Sequence, residues 1–296
     1  MFRHLFSGLP WLLMLMACRP DGPALPAREA IFAYEGLEEA PLAPDSGFRF
    51  VDSLSGLQST GWGVYEDIIY PGTQIRWELD HGLWPGREGP LLRCAITGGD
   101  AYNNVFFTHS LAMAPTAANW PYARADSLVY ALDFYVQAEM DCGLPDLSEM
   151  EGIEFTLRHV RIPDSYGWAL QWSKSGEWRY WDDEVDPKTG YPRAWQSFSP
   201  PLTTCLSDGG WHHLILSGVE YEGGVAYRFL ELDGARYDLS GAICGPAQVP
   251  DGWTEDFLQV GMQINGNTAT DPSHGEGVDP VTVWLDEVQL RGYGRE

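Results

Sequence analysis

The sequence predicts an all-β domain in which two antiparallel sheets pack face to face. Short runs of alternating apolar and polar residues recur along the chain, and Gly, Pro, Asn and Asp separate them at intervals of about ten residues. No segment carries a sustained apolar stripe with the 3.6-residue period of a helix. Alternation predicts strands because successive side chains of a strand point to opposite faces of its sheet.

The strand candidates all lie within the predicted domain, residues 46–296. They are Ile75–Leu79, Leu91–Thr97, Tyr102–Thr108, Ser127–Val136, Gly152–His159, Trp168–Trp172, Glu177–Trp181, Trp211–Ser217, Ala226–Leu232, Phe257–Ile264 and Val281–Leu290. This is more than the roughly seven to nine strands of an immunoglobulin-type sandwich. A large two-sheet jelly roll is therefore the predicted fold.

The N-terminus carries a segment that we expect to be removed. Residues 1–17 contain an apolar run that is shorter than the ~20 residues a membrane-spanning helix needs, which fits a signal peptide. The run ends Leu15-Met16-Ala17-Cys18, which resembles the lipobox of bacterial lipoproteins. That resemblance implies a diacylated Cys18 and an extracytoplasmic domain anchored to the bacterial envelope at the outer membrane or cell surface. The prolines within residues 18–45 predict an extended tether between the two. The lipid anchor is the only membrane contact predicted.

Composition narrows the set of partners. The chain has 42 acidic and 18 basic side chains and a formal net charge of -24, which disfavours nucleic acid, anionic lipid and acidic polysaccharides. It also has 13 Trp and 14 Tyr. Aromatic rings fill the cores of β-sandwiches and also stack on the C–H faces of sugar rings, and the sequence alone does not assign each ring to one role.

Four cysteines follow Cys18, namely Cys94, Cys142, Cys205 and Cys244. An even number in an oxidising compartment predicts two disulfides, and three pairings remain open. None of the four has the spacing of a zinc site. The sequence predicts no cofactor, although the Asn- and Asp-rich segment over residues 265–279 offers hard oxygen ligands for a structural Ca²⁺ as an alternative to an ordinary acidic loop.

Parity within the strands predicts a polar sheet face. Ile153, Phe155 and Leu157 point inward if their strand is half-buried, so the residues between them point outward together. The same reasoning on neighbouring strands gives a set of candidate ligand-binding residues: Tyr102, Asn104, Glu154, Arg158, Gln171, Arg179, Trp181, Gln263 and Asn265. Amide, guanidinium and carboxylate groups hydrogen-bond sugar hydroxyls, and Trp181 offers a stacking platform on one exposed, concave face. The alternative is an ordinary solvated outer face.

Several runs appear in an order typical of one fold family. Trp168-Ala169-Leu170-Gln171-Trp172, Gly210-Trp211-His212-His213-Leu214 and Val283-Trp284-Leu285-Asp286-Glu287-Val288 resemble strands of the concanavalin A-like lectin/glucanase and laminin-G-like jelly rolls. The resemblance implies a jelly-roll fold and a carbohydrate ligand. Fold does not determine activity.

The enzymes of that group carry motifs that this chain lacks. No E-x-D-x-x-E strand presents paired carboxylates for glycoside hydrolysis, and the lyase-type strands are incomplete. His159, His212 and His213 are the remaining candidate bases. The sequence thus favours a non-catalytic carbohydrate-binding or surface-adhesion lipoprotein. The alternatives are a polysaccharide lyase or glycosidase with a divergent site, and a structural envelope protein without a small ligand.

Overall fold

A computed structural model describes residue 30 and residues 32–37, 62–68, 73–97, 104–112, 125–138, 150–185, 188, 192–206, 209–221, 223–249, 256–266 and 281–294. The strands are β1 (Phe32–Tyr34), β2 (Trp62–Ile68), β3 (Gln74–Asp80), β4 (Leu91–Thr97), β5 (Asn104–Ala112), β6 (Ala125–Gln137), β7 (Gly152–Arg161), β8 (Asp164–Ser173), β9 (Glu177–Val185), β10 (Pro192–Thr203), β11 (Trp211–Tyr221), β12 (Gly224–Leu232), β13 (Ala235–Asp238), β14 (Ile243–Cys244), β15 (Ala247–Gln248), β16 (Phe257–Asn265) and β17 (Val281–Gly294).

These strands form two antiparallel sheets, which confirms the predicted all-β sandwich. Sheet A runs in the order β13-β12-β11-β6-β17-β4-β3, with β1 added on β17 and β14 on β12. Sheet B runs in the order β10-β9-β8-β7-β16-β5-β2, with β15 added on β8. Strands that are distant in the chain are neighbours in both sheets, as in a jelly roll.

The core lies between the two sheets and is rich in aromatic rings. Trp168, Trp172 and Trp178 from sheet B are fully buried. The rings of Phe134 in sheet A and Phe155 in sheet B meet with their centroids 4.8 Å apart. Each core residue alternates along its strand with a residue on the outer face, and this alternation makes the outer face of sheet B polar.

The structure has strands that the sequence pattern did not predict. Besides the short additions, β10 contains Pro192, Pro200 and Pro201, which interrupt the pattern of a strand. Proline lacks an N–H donor and is tolerated in edge strands, and β10 is the edge of sheet B.

The segment predicted to be a tether contributes to the sandwich. Within residues 18–45, β1 pairs with β17, so that Ala33 lies opposite Arg291. Leu37 is buried, and its carbonyl oxygen accepts a hydrogen bond of 2.7 Å from the indole Nε1 of Trp62. The predicted signal peptide and Cys18 lie outside the described residues. Within the part of the chain that the structure describes, no helix is long and apolar enough to cross a membrane.

The prediction of two disulfides is wrong for two of the cysteines. Cys94 and Cys244 are both buried, and neither forms a disulfide. Cys94 lies in β4 among core residues, and Cys244 lies in the short strand β14 beside the hydroxyl of Tyr227. Of the bonds in the three open pairings, Cys142–Cys205 is the one that involves neither of these residues, and it stays a prediction because Cys142 lies outside the described residues.

Candidate functional site

The outer face of sheet B carries a row of mostly polar side chains that crosses the strands. The strand register places Gln263 opposite Glu154, Glu154 opposite Gln171, and Gln171 opposite Arg179. The row continues to Phe106 on β5 at one end and to Ser197 on β10 at the other. We call these six residues the polar row.

A row of small residues runs beside the polar row. Gly63, Thr108, Gly261 and Thr156 lie opposite one another in turn, followed by Ala169 on β8. On the far side, Ser110 pairs with Gln259 and Gln259 with Arg158. Longer side chains, the polar row on one side and Gln259 with Arg158 on the other, therefore flank the small residues. We call this strip of small residues, which runs perpendicular to the strands, the transverse groove.

Two tryptophans stand at the β10 end of the transverse groove. Trp181 on β9 lies opposite Trp195 on β10. Their ring centroids are 5.2 Å apart and their planes meet at 73°. Both side chains are half-buried, so each ring is held by its neighbour while part of its surface stays accessible. Trp195 lies in β10, the proline-containing edge strand that the sequence pattern did not predict.

Phe106 closes the opposite end. A Cβ atom added at Gly261 would lie 2.8 Å and 2.9 Å from two atoms of the Phe106 ring. The ring therefore lies against the backbone of β16 at Gly261, and only glycine leaves room for it there. Phe106 is itself buried, which fixes it as a wall.

Burial increases along the groove from β10 towards β5. Ser197 on β10 is exposed, and Trp181, Ala169 and Thr156 are half-buried. On β16 and β5 the outward-facing Gln259 and Thr108 are only 4% and 2% exposed. The groove is thus open at the tryptophans, and its β16 and β5 end is closed to solvent.

A hydrogen-bond network fixes the centre of the polar row. The amide of Gln171 donates to Glu154 Oε1 at 2.9 Å, and the amide of Asn265 donates to the same oxygen. The amide of Gln263 donates to Asn265 Oδ1 at 2.6 Å. Glu154 and Asn265 are buried, which corrects the expectation that these two candidates are exposed. Their carboxylate and amide are held in one orientation by bonds within the sheet.

The positive charge of Arg179 is compensated locally. Its guanidinium donates to Glu177 Oε2 from Nη2 at 2.8 Å and from Nε at 3.1 Å. The hydroxyl of Ser197 donates to Glu177 Oε1, and this bond, followed by those from Arg179, holds the pKa of Glu177 below its usual value. Glu177 therefore stays ionised, and this end of the groove carries little net charge.

Two buried oxygen atoms on this face have no partner within the described residues. They are Gln259 Oε1 and Thr156 Oγ1. The amide nitrogen of Gln259 is used, since it donates to Ser110 Oγ at 3.1 Å. Buried polar atoms are almost always hydrogen-bonded, so these two oxygens, both closed to solvent, are an unfavourable feature of this part of the sheet.

The candidates from sequence parity mostly lie on this face. The structure brings eight of them together on β9, β8, β7, β16 and β5, which are neighbouring strands of sheet B: Asn104, Glu154, Arg158, Gln171, Arg179, Trp181, Gln263 and Asn265. Tyr102 lies outside the described residues. Parity also placed Thr156 and Gln259 outward, but only the register shows that they are neighbours in the groove.

The three histidines considered as bases lie outside the groove. His159 is fully buried, and its Nδ1 lies 3.0 Å from Glu220 Oε2, a residue of sheet A. His212 packs against the ring of Phe134, with the two centroids 5.3 Å apart. His213 lies on sheet A, where its Nδ1 pairs with Asp133. Each imidazole is therefore part of a contact that stabilises the sandwich.

The predicted calcium segment lies only partly within the described residues. No group of three or more His, Cys, Asp or Glu side chains within the described ranges is arranged to hold a metal ion. Of the predicted calcium segment, Asn265 and Gly266 are described, and the side chain of Asn265 is committed to Glu154 and Gln263. Residues 267–279 lie outside the described residues.

Comparisons with known proteins return structural likeness only. The chain matches no family model, and no curated protein matches it in sequence. Among solved structures it is similar to an endo-β-1,4-glucuronan lyase from the fungus Trichoderma reesei, with a TM-score of 0.44 and 13% identity over 77% of this chain and 91% of that one. An alginate lyase in complex with alginate tetrasaccharide gives a TM-score of 0.40 and 10% identity over 70% and 82% of the two chains. Lectin I-B4 from Griffonia simplicifolia gives 0.36 and 11% over 79% and 93%.

Proposed function

We propose that this protein is a carbohydrate-binding lipoprotein of the bacterial envelope, and that the transverse groove of sheet B holds a glycan chain. The observation that carries the proposal is a partly accessible surface on which polar side chains, Gln171 and Arg179, lie beside two half-buried tryptophans, Trp181 and Trp195. A sugar ring offers hydroxyls for the first feature and an apolar C–H face for the second.

The groove chemistry favours a glycan with little charge. Arg179 is compensated by Glu177 at the open end, and Glu154 already accepts two amide donors at the centre. Each hydroxyl hydrogen bond adds only ~1 kcal/mol net, because it replaces a bond to water. The aromatic contacts at Trp181 and Trp195 therefore supply much of the affinity, as buried aromatic anchors do at other interfaces.

The envelope location is the second part of the proposal and rests on the sequence around Cys18. Acylation there would attach the domain to a membrane through its N-terminal side, since each buried CH₂ contributes ~0.8 kcal/mol. Expression of the Cys18→Ser variant in a bacterium, followed by fractionation, tests this part. We expect the wild-type protein in the membrane fraction and the variant in soluble or unprocessed form. Membrane attachment that persists in the variant would contradict the lipid anchor.

A glycan array probed with the processed domain tests the binding function. We expect binding to a set of neutral glycans, and loss of that binding in the Trp181→Ala variant. The same glycans are then incubated with the protein and assayed for new reducing ends, which a hydrolase or lyase would produce. An array without any bound glycan would contradict the proposal, and turnover would replace it with the enzymatic alternative.

A further inference from the structure

We propose that the open end of the transverse groove selects neutral sugars with free hydroxyls over uronic acids, because Gln171 and Arg179 form a fixed pair of one acceptor and one donor there. This inference rests on the proposed function and names the class of glycan that the site takes. Three features support it: the accessibility of the two side chains, the bonds that fix them, and the excess of carboxylates around them.

The two side chains lie on the accessible part of the outer face of sheet B. Gln171 on β8 is directly opposite Arg179 on β9, and both are half-buried, with 35% of the Arg179 side chain exposed. Residues opposite each other on two strands have Cβ atoms about 5 Å apart. Arg179 and Trp181 are two residues apart on β9 and share a face at a spacing of about 7 Å. A sugar stacked on Trp181 therefore presents the hydroxyls of its edge to Gln171 and Arg179.

The Gln171 amide is held in one orientation. Its nitrogen donates to Glu154 Oε1 at 2.9 Å, and a carboxylate only accepts, so the amide cannot turn its oxygen towards Glu154. Within the described residues no donor reaches Gln171 Oε1, and this oxygen is not among the unpartnered atoms that are closed to solvent. Gln171 thus presents an acceptor that a ligand can reach.

The Arg179 guanidinium is held in a similar way and presents donors. Its Nε and Nη2 atoms donate to Glu177 Oε2 at 3.1 and 2.8 Å, and in the described part of the chain its Nη1 atom has no acceptor. A sugar hydroxyl satisfies both members of the pair, because it donates to Gln171 Oε1 and accepts from Arg179. A carboxylate of a uronic acid only accepts, so it leaves Gln171 Oε1 without a donor.

Carboxylates outnumber cations around the pair. Glu154 and Glu177 each bond one of its members, and the bonds from Ser197 and Arg179 hold the pKa of Glu177 below its usual value. Arg179 is the only cation of the polar row. A uronic acid would bring a third carboxylate to two carboxylates and one guanidinium, so repulsion adds to the missing hydrogen bond.

Isothermal titration of the processed wild-type protein with matched neutral and acidic hexasaccharides tests the inference. The neutral probes are cellohexaose, laminarihexaose and mannohexaose, and each acidic probe is the same chain with its 6-hydroxymethyl groups oxidised to carboxylates. We expect at least one neutral chain to bind and its acidic form to bind about tenfold more weakly or not at all. Equal or tighter binding of the acidic form would overturn the inference while leaving glycan binding intact. Failure of all six probes would contradict both.

Two variants assign the selectivity to the pair. Gln171→Met keeps the length of the side chain and removes the acceptor, so the neutral chain should bind about tenfold more weakly and the difference between neutral and acidic chains should shrink. Arg179→Lys keeps a positive charge beside Glu177 and loses the N–H groups of Nη1, so the neutral chain should bind about fivefold more weakly. A merely structural role would not change the ratio of neutral to acidic affinity.

Gln289→Met and Arg93→Lys are the matched controls on the outer face of sheet A. Each of these residues makes a side-chain hydrogen bond of a comparable kind away from the groove. Both controls should keep the wild-type affinity and the wild-type ratio. Unchanged affinity in Gln171→Met and Arg179→Lys, or equal losses in the controls, would overturn the role of the pair. If Gln171→Met fails to fold, Arg179→Lys decides the question alone.

Discussion

The hydroxyl of Tyr227, a fully buried residue of sheet A, lies 3.1 Å from the backbone carbonyl oxygen of Trp181 in sheet B. The same oxygen atom of Tyr227 accepts a hydrogen bond from the Ala169 amide at 3.0 Å and lies 3.1 Å from the Ala169 carbonyl oxygen. Ala169 and Trp181 are the chain neighbours of Leu170 and Tyr180, the pair at which the β8–β9 ladder ends. One side chain from the opposite sheet thus holds the two strands that carry the open end of the groove, and its burial raises the pKa of the phenol well above its usual value.

Tyr227→Phe should therefore destabilise the domain and disturb Trp181. The change removes the acceptor of the Ala169 N–H and one of the contacts of the Trp181 carbonyl oxygen, and a buried group left unpaired costs about 1–3 kcal/mol. Urea unfolding measures the loss, and tryptophan fluorescence of the folded variant reports on the groove. Tyr130→Phe is the matched control, because its hydroxyl makes one long contact of 3.4 Å with the Gly261 carbonyl oxygen. Equal losses in the two variants would contradict the special role of Tyr227.

Gly218→Ala should be one of the most damaging single methyl additions in the chain. A Cβ at this position would lie 1.9 Å from Nε1 of Trp168, which is part of the fully buried core. Overpacking of this kind costs about 1–3 kcal/mol or more because the rigid indole must move. Gly241→Ala serves as control, since a Cβ there has no heavy atom within 4 Å. Thermal unfolding of both variants checks the prediction, and a stable Gly218→Ala would show that the indole lies elsewhere.

His109 should make the domain sensitive to mild acid. Burial lowers the pKa of His109 from 6.5 to about 4. The unfolded chain therefore binds a proton between pH 6.5 and 4 that the folded chain does not, so stability falls as the pH drops through this window. The loss attributable to this group reaches about 3 kcal/mol at pH 4. The free energy of unfolding of His109→Gln should depend less on pH between 7 and 4 than that of the wild type. Replacement of the exposed His81 by Gln should leave the wild-type dependence unchanged. Identical slopes of this free energy against pH in the wild type and both variants would refute the effect.

The cysteines give a prediction that mass spectrometry and thiol titration can check. In the Cys18→Ser protein, Cys94 and Cys244 should resist thiol reagents while the domain is folded, because both are buried, and burial raises the pKa of the Cys94 thiol well above its usual value. In denaturant without reductant, two thiols should react if Cys142 and Cys205 are bonded as predicted. Four reactive thiols would rule out that disulfide, and none would show that Cys94 and Cys244 are also oxidised.

The sequence was sufficient to predict the fold class and which side chains share a face. It was not sufficient to predict how deeply those side chains are buried. Alternation assigned Glu154, Gln171 and Gln263 to one side of their strands, and the register then placed them in one row. Alternation carries no information on what lies above a face, so it did not predict that Glu154 is only 8% exposed. Nor did it predict Trp195, because the prolines of β10 remove the alternating pattern from a strand whose edge position tolerates them.

Trp181 provides the most direct test of the central claim that the outer face of sheet B binds glycan. Its ring is half-buried against Trp195 rather than in the core, so Trp181→Ala should leave the melting temperature nearly unchanged. Isothermal titration with the glycan that binds the wild-type domain best on the array should show an affinity about thirtyfold weaker, the loss typical of an aromatic anchor. Trp211→Ala, a half-buried tryptophan on the outer face of sheet A, should bind as wild type does. Wild-type affinity in Trp181→Ala, or an equal loss in Trp211→Ala, would contradict the account.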